Sequence, residues 1–293
     1  MASLEKLKGR LATIKELHMV VSTMKTLSAV NIRQYEAAAQ ALAEYAQTVG
    51  LGLQVVVRDR LLDLHAQEPP AKQSAAIIFG SDTGLCGRFN EAIVSFALQE
   101  LTKAGLEPST LPLIAVGNRV ALELGMRELN PEITLHLPSS LQSLTTTAQT
   151  ILSTLEDWEI KKGRQRLLLF YNRPNGHASF KTRKLQIYPL NLSWLQHLAQ
   201  KPWPSRSLPI YTLPWQELFA ALVREYYFVS LYRTLAESLA SEHAARLEAM
   251  QAAEKNIEDG LAKLTLELNQ IRQESITEEL QDIVVGAQLL TAN

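Results

Sequence analysis

The stretch AAIIFGSDTGLCGRFN, residues 75–90, joins an apolar run, a corner with three glycines and the start of a periodic segment. A short apolar run bounded by glycine reads as a buried strand, and the periodic segment after it as a helix near 89–104. Strand, corner and helix in that order form the repeating unit of a parallel sheet. The alternation continues downstream. LPLIAV (111–116), ITLHL (133–137), RLLLFYN (166–172) and KLQIYPL (184–190) read as strands, with helical stretches near 118–128 and 141–157. Pro202, Pro204, Pro209 and Pro214 then punctuate a linker.

The two flanks read differently. Before Pro69 there is no proline, and no glycine lies between Gly9 and Gly50. Apolar or small residues recur about every 3.5 positions, from Leu4, Leu7, Leu11 and Ile14 to Leu53 and Val56, the seam of a helix of about 55 residues. The last segment repeats the pattern from Leu222 to Ile271, then shifts phase to Ile276, Leu280, Ile283, Ala287 and Leu290. It predicts a helix of roughly 70 residues, overhanging its partner by about 20 Å. Tyr226, Tyr227, Phe228 and Tyr232 are read as part of the seam.

The expected fold is therefore α/β plus a long antiparallel α-helical coiled coil. A Rossmann-like, mostly parallel sheet domain (70–205) is inserted between an N-terminal coiled-coil helix (1–60) and a C-terminal one (209–293). Charge supports the pairing. Residues 1–60 carry net +3 and residues 214–293 net −7, within a chain of 293 residues and net charge −1.

That near-neutral balance argues against a nucleic-acid binder, which needs excess cations to release counterions from phosphates. The single Cys86 excludes an internal disulfide and a multi-cysteine metal site. No stretch reaches the roughly 18 apolar residues of a membrane span, and MASLEKLKGR lacks a signal-peptide core. A soluble chain is expected, with membrane association only through partners.

A search for reactive groups returns no catalytic, cofactor or metal site. Arg88 and Phe89 follow Gly87 where a Walker loop needs Lys–Ser/Thr, so the corner is read as a turn in which Gly84 and Gly87 allow unusual backbone angles. The six histidines are scattered singly, without zinc spacing. Gly-x-Ser-x-Gly is absent. Asp82 is expected to cap or brace the turn, Cys86 to be packed rather than nucleophilic, and KKGRQR (161–166) to be a solvated turn.

LASEHAARLEAMQAAEKN (239–256) resembles the signature of the gamma subunit of F-type ATP synthases. SITEELQDIVVGAQLL (275–290) is similar to that family's terminal motif, SDTGLCGRFN (81–90) resembles its serine-aspartate-x-glycine-leucine-cysteine-glycine block, and TLSAVNIRQ (26–34) resembles its first helix more loosely. The resemblance implies a non-catalytic rotor shaft that couples ion flow through a membrane c-subunit ring to ATP synthesis or hydrolysis. Its partners would be the alpha and beta subunits, the epsilon subunit and the c ring. It would lie peripherally on the cytoplasmic or stromal-equivalent face of an energy-transducing membrane. By motif position, Arg272, Gln273 and Thr277 would meet a beta-subunit loop, and Ile283, Val284, Val285, Leu289 and Leu290 would turn in an apolar sleeve. The chain departs from the family at Val30, Asn31 and Gln34, where lysines are usual; only Lys25 and Arg33 remain nearby. Without the paired-cysteine insertion of chloroplast relatives, no thiol switch is expected. The rival readings are a nucleotide-dependent enzyme and a static coiled-coil tether with an α/β domain.

Overall fold

A computed structural model of the chain describes residues 2–58, 73–163, 165–176, 179–207 and 209–291. The elements run α1 (Ala2–Arg58), β1 (Gln73–Phe79), α2 (Phe89–Lys103), β2 (Leu113–Val116), α3 (Asn118–Gly125), β3 (Ile133–Leu135), α4 (Ser143–Lys162), β4 (Gln165–Pro174), β5 (Phe180–Tyr188), α5 (Leu192–Gln200) and α6 (Trp215–Thr291). Two compact units result: Met1–Leu27 with Leu247–Asn293, and Ser28–Arg246.

The larger unit holds a five-stranded sheet in the order β3-β2-β1-β4-β5, parallel except for β5. Successive strand residues face opposite sides. Ala75, Ile77, Phe79, Leu167 and Leu169 meet Leu144, Ala148 and Ile151 of α4 and also Tyr35, Leu231 and Leu235 of the long helices. Ala76, Ile78, Leu168 and Phe170 meet Ile93, Val94 and Ala97 of α2 and Val120 and Leu124 of α3. Both faces are covered, which is why the strands read as unbroken apolar runs rather than alternating ones.

Some boundaries differ from the sequence reading. β2 begins after Pro112, which has no N–H for the ladder but lends its carbonyl to Ala76 N at 3.1 Å. β3 stops at Leu135, because Leu137 N is taken by the Asp82 carboxylate at 2.8 Å. β5 starts at Phe180, four residues earlier than expected: FKTR alternates exposed charge along an edge strand and lacks the apolar run that marked the others. Within 161–166, Lys162 closes α4, Gly163 turns with φ 82° and Gln165 opens β4, so the expected solvated turn overlaps both elements.

α5 lies in a stretch the sequence left unassigned. Asn191 caps it, accepting from Trp194 N at 3.3 Å. Its Leu195 packs with Val56, Val57 and Trp215, and the Trp215 indole donates to Val56 O at 2.8 Å. Here α1 and α6 run antiparallel, since Val56 meets Trp215, Tyr45 donates to Glu225 at 2.7 Å, and Tyr35 stacks on His243. Gly52 allows the close approach: a Cβ there would stand 2.9 Å from Leu222 Cδ2.

In the smaller unit the two chain ends are again antiparallel. Lys25 bonds Glu254 at 2.5 Å, and His18 faces Glu258 at 3.6 Å. The anticipated seam points inward: Leu7 and Met250 are buried, and Leu11, Ile14, Val21, Ile257, Leu261, Leu264, Leu268 and Ile271 are half-buried. Past Ile271 the inward phase continues to Ser275, so the shifted row Ile276, Leu280 and Ile283 faces solvent. Extending the 18-to-258 pairing sets Ala2 near residue 274, leaving about 25 Å of α6 beyond α1.

Candidate functional site

The glycine corner is held by its own side chains. Asn90 accepts from Ser81 N at 2.9 Å and donates to Ser81 Oγ at 2.8 Å. Asp82 accepts from Asn118 N at 2.7 Å and from Leu137 N at 2.8 Å, fixing the start of α3 and the end of β3. An anion drawn to those amides would find the chain's own carboxylate in place. Gly87 has φ 57° as anticipated; the other positive φ in the corner is at Leu85 (64°) rather than Gly84. Gly80 and Gly117 are required by close approach, since a Cβ at Gly80 would stand 2.3 Å from Val120 Cβ and one at Gly117 2.7 Å from Ser81 O.

Cys86 is buried against Phe89 and Ala245. Burial pushes its thiol pKa up, so the nucleophilic thiolate is disfavoured.

The corner docks on α6 through Arg246. Its Nη2 lies 2.7 Å from Thr83 Oγ1, 3.2 Å from Gly84 O and 2.6 Å from Glu242 Oε1. Both charged side chains are 6% exposed. Ser241 Oγ lies 3.1 Å from Asn172 O, and Asn172 Nδ2 donates to Phe89 O at 3.3 Å. The SDTGLCG and SEHAAR blocks, about 160 positions apart in sequence, are thus two halves of one junction. Sequence reading noted both blocks and missed their contact; the buried-type spacing of Glu242 and Arg246, i and i+4 on an apolar stretch, was the available signal.

Burial raises the Glu242 carboxyl to about 7, against the opposing pull of the Arg246 charge and hydrogen bond. Burial, with Arg246 adding to it, lowers His243 to about 4. His243 stacks on Tyr35 with ring centroids 5.6 Å apart and planes 9° from parallel.

Arg272, Gln273 and Thr277 are exposed on α6. Thr277 Oγ1 donates to Gln273 O at 2.8 Å. At 100° per residue they share an arc of about 140° with Ile276, Leu280, Ile283 and Val284, which starts beside the α1-facing seam and turns away from it. Ile283 and Val284 are 67% and 54% exposed. Thr277, Leu280, Gln281 and Val284 line a shallow concavity. The side chains of Val285, Leu289 and Leu290 lie outside the described residues. His18, Glu254 and Glu258 bring three potential ligand atoms within 4.8 Å, but the Lys25 ammonium already supplies Glu254 with a cation. Among the described residues no helix is long and apolar enough to cross a membrane.

These features define a class: a protein with an α/β domain set between two long terminal helices, whose outward residues suit protein contacts. The ATP synthase family model matches residues 3–290. The ATP synthase gamma chain of Geotalea daltonii is 28% identical, covering 98% of this chain and 99% of the relative; that of Gluconacetobacter diazotrophicus is 29% identical, with the same coverage. Among solved structures, a chain of the Euglena gracilis mitochondrial ATP synthase rotor aligns with TM-score 0.63 and 20% identity, over 94% of this chain and 99% of that one. A chain from the same organism's OSCP/F1/c-ring assembly aligns with TM-score 0.68 and 17% identity, over 99% and 95%. The chain belongs to the ATP synthase gamma family.

Proposed function

We propose that this chain is the central rotor shaft of an F-type ATP synthase, itself non-catalytic. The paired ends of α1 and α6 turn inside a ring of alpha and beta subunits. The α/β domain meets the epsilon subunit and the c ring. Presenting a different face to each catalytic subunit stabilises a different conformation in each, and rotation exchanges them. The membrane is reached through partners, on its cytoplasmic or stromal-equivalent face. In this reading 1–60 and 209–293 are the shaft segments and 70–205 the foot.

One observation carries the reading: the exposed arc from Arg272 to Val284 lies on the overhanging end of α6, polar at its start and apolar beyond it. An exposed apolar row of this kind marks a contact surface. Arg272, Gln273 and Thr277 would engage a beta-subunit loop, and Ile283, Val284, Val285, Leu289 and Leu290 would run in the sleeve. Reconstitution with alpha and beta subunits tests this. A shaft strongly changes the ATPase rate of the ring, whereas a static tether binds and leaves turnover unaltered.

A further inference from the structure

Three side chains that suit a metal ion converge within the smaller unit, and no role above uses them. His18 of α1 and Glu254 and Glu258 of α6 each bring one ligand atom to within 4.8 Å of the other two. The two glutamates stand one turn apart on one face of α6, while the histidine comes from about 240 positions earlier, so no local spacing announces the set. His18 Nε2 is sealed from solvent and has no hydrogen-bond partner. It lies 3.6 Å from Glu258 Oε1. Two ligands held about 2.0–2.1 Å from one tetrahedral ion stand about 3.3 Å apart, so this pair is already close to the spacing that a shared ion sets. Carboxylates at i and i+4 also repel one another. Among the described residues Lys25 is the one lysine or arginine paired with either; it takes Glu254 Oε2 at 2.5 Å and leaves that carboxylate a second oxygen.

We infer that His18 Nε2 and the carboxylates of Glu254 and Glu258 form a three-ligand site for a divalent ion of the zinc class, bridging α1 to α6. An imidazole nitrogen with carboxylate oxygens suits zinc, whereas magnesium and calcium favour oxygen alone. The Glu258 side chain is 62% exposed, so water can complete a fourth position from the solvent side. Because the ligands come from both helices, the ion binds their paired state and not the separated one, and so tightens the unit. Lys25 shares Glu254 with the ion and thereby weakens the site. The site stands whether or not the chain turns in a ring.

The test titrates the metal-free full chain with Zn²⁺ alone and with Mg²⁺ alone in a calorimeter, with Co²⁺ absorption as a spectroscopic readout. Wild type should take up one Zn²⁺ and no Mg²⁺ of comparable affinity. It should give the visible Co²⁺ bands of a four-coordinate nitrogen–oxygen site, and it should melt several degrees higher in excess zinc. His18→Asn and Glu258→Gln each remove one ligand from a half-buried or exposed position, and circular dichroism checks that both variants fold. Each should bind Zn²⁺ roughly tenfold more weakly or worse and lose the shift in melting. Lys25→Met should bind Zn²⁺ at least as tightly as wild type, since the ammonium competes for Glu254. A wild-type chain that binds no Zn²⁺, ligand variants that bind it as tightly as wild type, or loss of binding in Lys25→Met overturns the assignment.

Discussion

Arg246 Nη2 stands 2.7 Å from Thr83 Oγ1, so the guanidinium of a helix nearly eighty residues long reaches the corner after the first strand. The same nitrogen is 2.6 Å from Glu242, one turn earlier on α6. Removing the arginine would leave a buried carboxylate and a corner hydroxyl with no cation. Arg246→Ala should cost about 3–5 kcal/mol, whereas Glu242→Leu/Arg246→Met together should be nearly neutral. Urea unfolding of the two variants measures this; equal losses in both would show that packing rather than charge holds the junction.

Cys86 supplies a simple probe of the same corner. The thiol is buried and its ionisation is disfavoured by burial. Alkylation at pH 8 should be far slower than for a small free thiol and should accelerate on denaturation. Rapid labelling of the folded chain would mean that the corner opens readily.

How much of this could be read in advance depended on burial. Residues 75–79 and 113–116 lie under helices on both faces, so their unbroken apolar runs announced strands. The seam from Leu4 to Val56 announced one helix because its spacing runs on without proline, although near its end it packs on α5 as well as on α6. β5 was read short because Lys181 and Arg183 lie on an edge, where charge is tolerated. The row from Ile276 was read as a shift of phase, and it is exposed on the stretch of α6 that runs on beyond α1. The Arg246 junction went unread, because the i, i+4 spacing of Glu242 and Arg246 marks a buried pair but does not name a partner about 160 positions away.

The arc on the end of α6 predicts a separation of stability from activity. Arg272 and Gln273 are exposed, so Arg272→Ala/Gln273→Ala should shift folding stability by no more than about 0.5 kcal/mol. A lost charge-assisted contact with a beta-subunit loop would remove about 1.5–3 kcal/mol of torque-bearing interaction. Single-molecule rotation should show lower torque at unchanged thermal stability. Deleting residues 286–293 should be milder, as the paired helices below remain. Undiminished torque in the double variant would discard the role of these two residues.

Glu242 and His243 are adjacent, and their pH dependences oppose one another. The Glu242 carboxyl is held at about 7 in the folded chain, above its ordinary value. Its contribution is fully present below about pH 4.5 and is lost as pH rises through 7, because only the folded state favours the proton. His243 is held at about 4, below its ordinary value. Its contribution is present above about pH 6.5 and is lost as pH falls through 4, since the unfolded imidazole takes up a proton that the buried ring refuses. Between about pH 4.5 and 6.5 the two slopes largely cancel in the wild type. Substituting one should expose the other. His243→Asn should become more stable relative to wild type as pH drops from 7 to 5. Glu242→Gln should become less stable relative to wild type over the same interval. Thermal melts of the three proteins at several pH values read both slopes directly, and parallel curves for the two variants would show that neither group titrates where the junction places it.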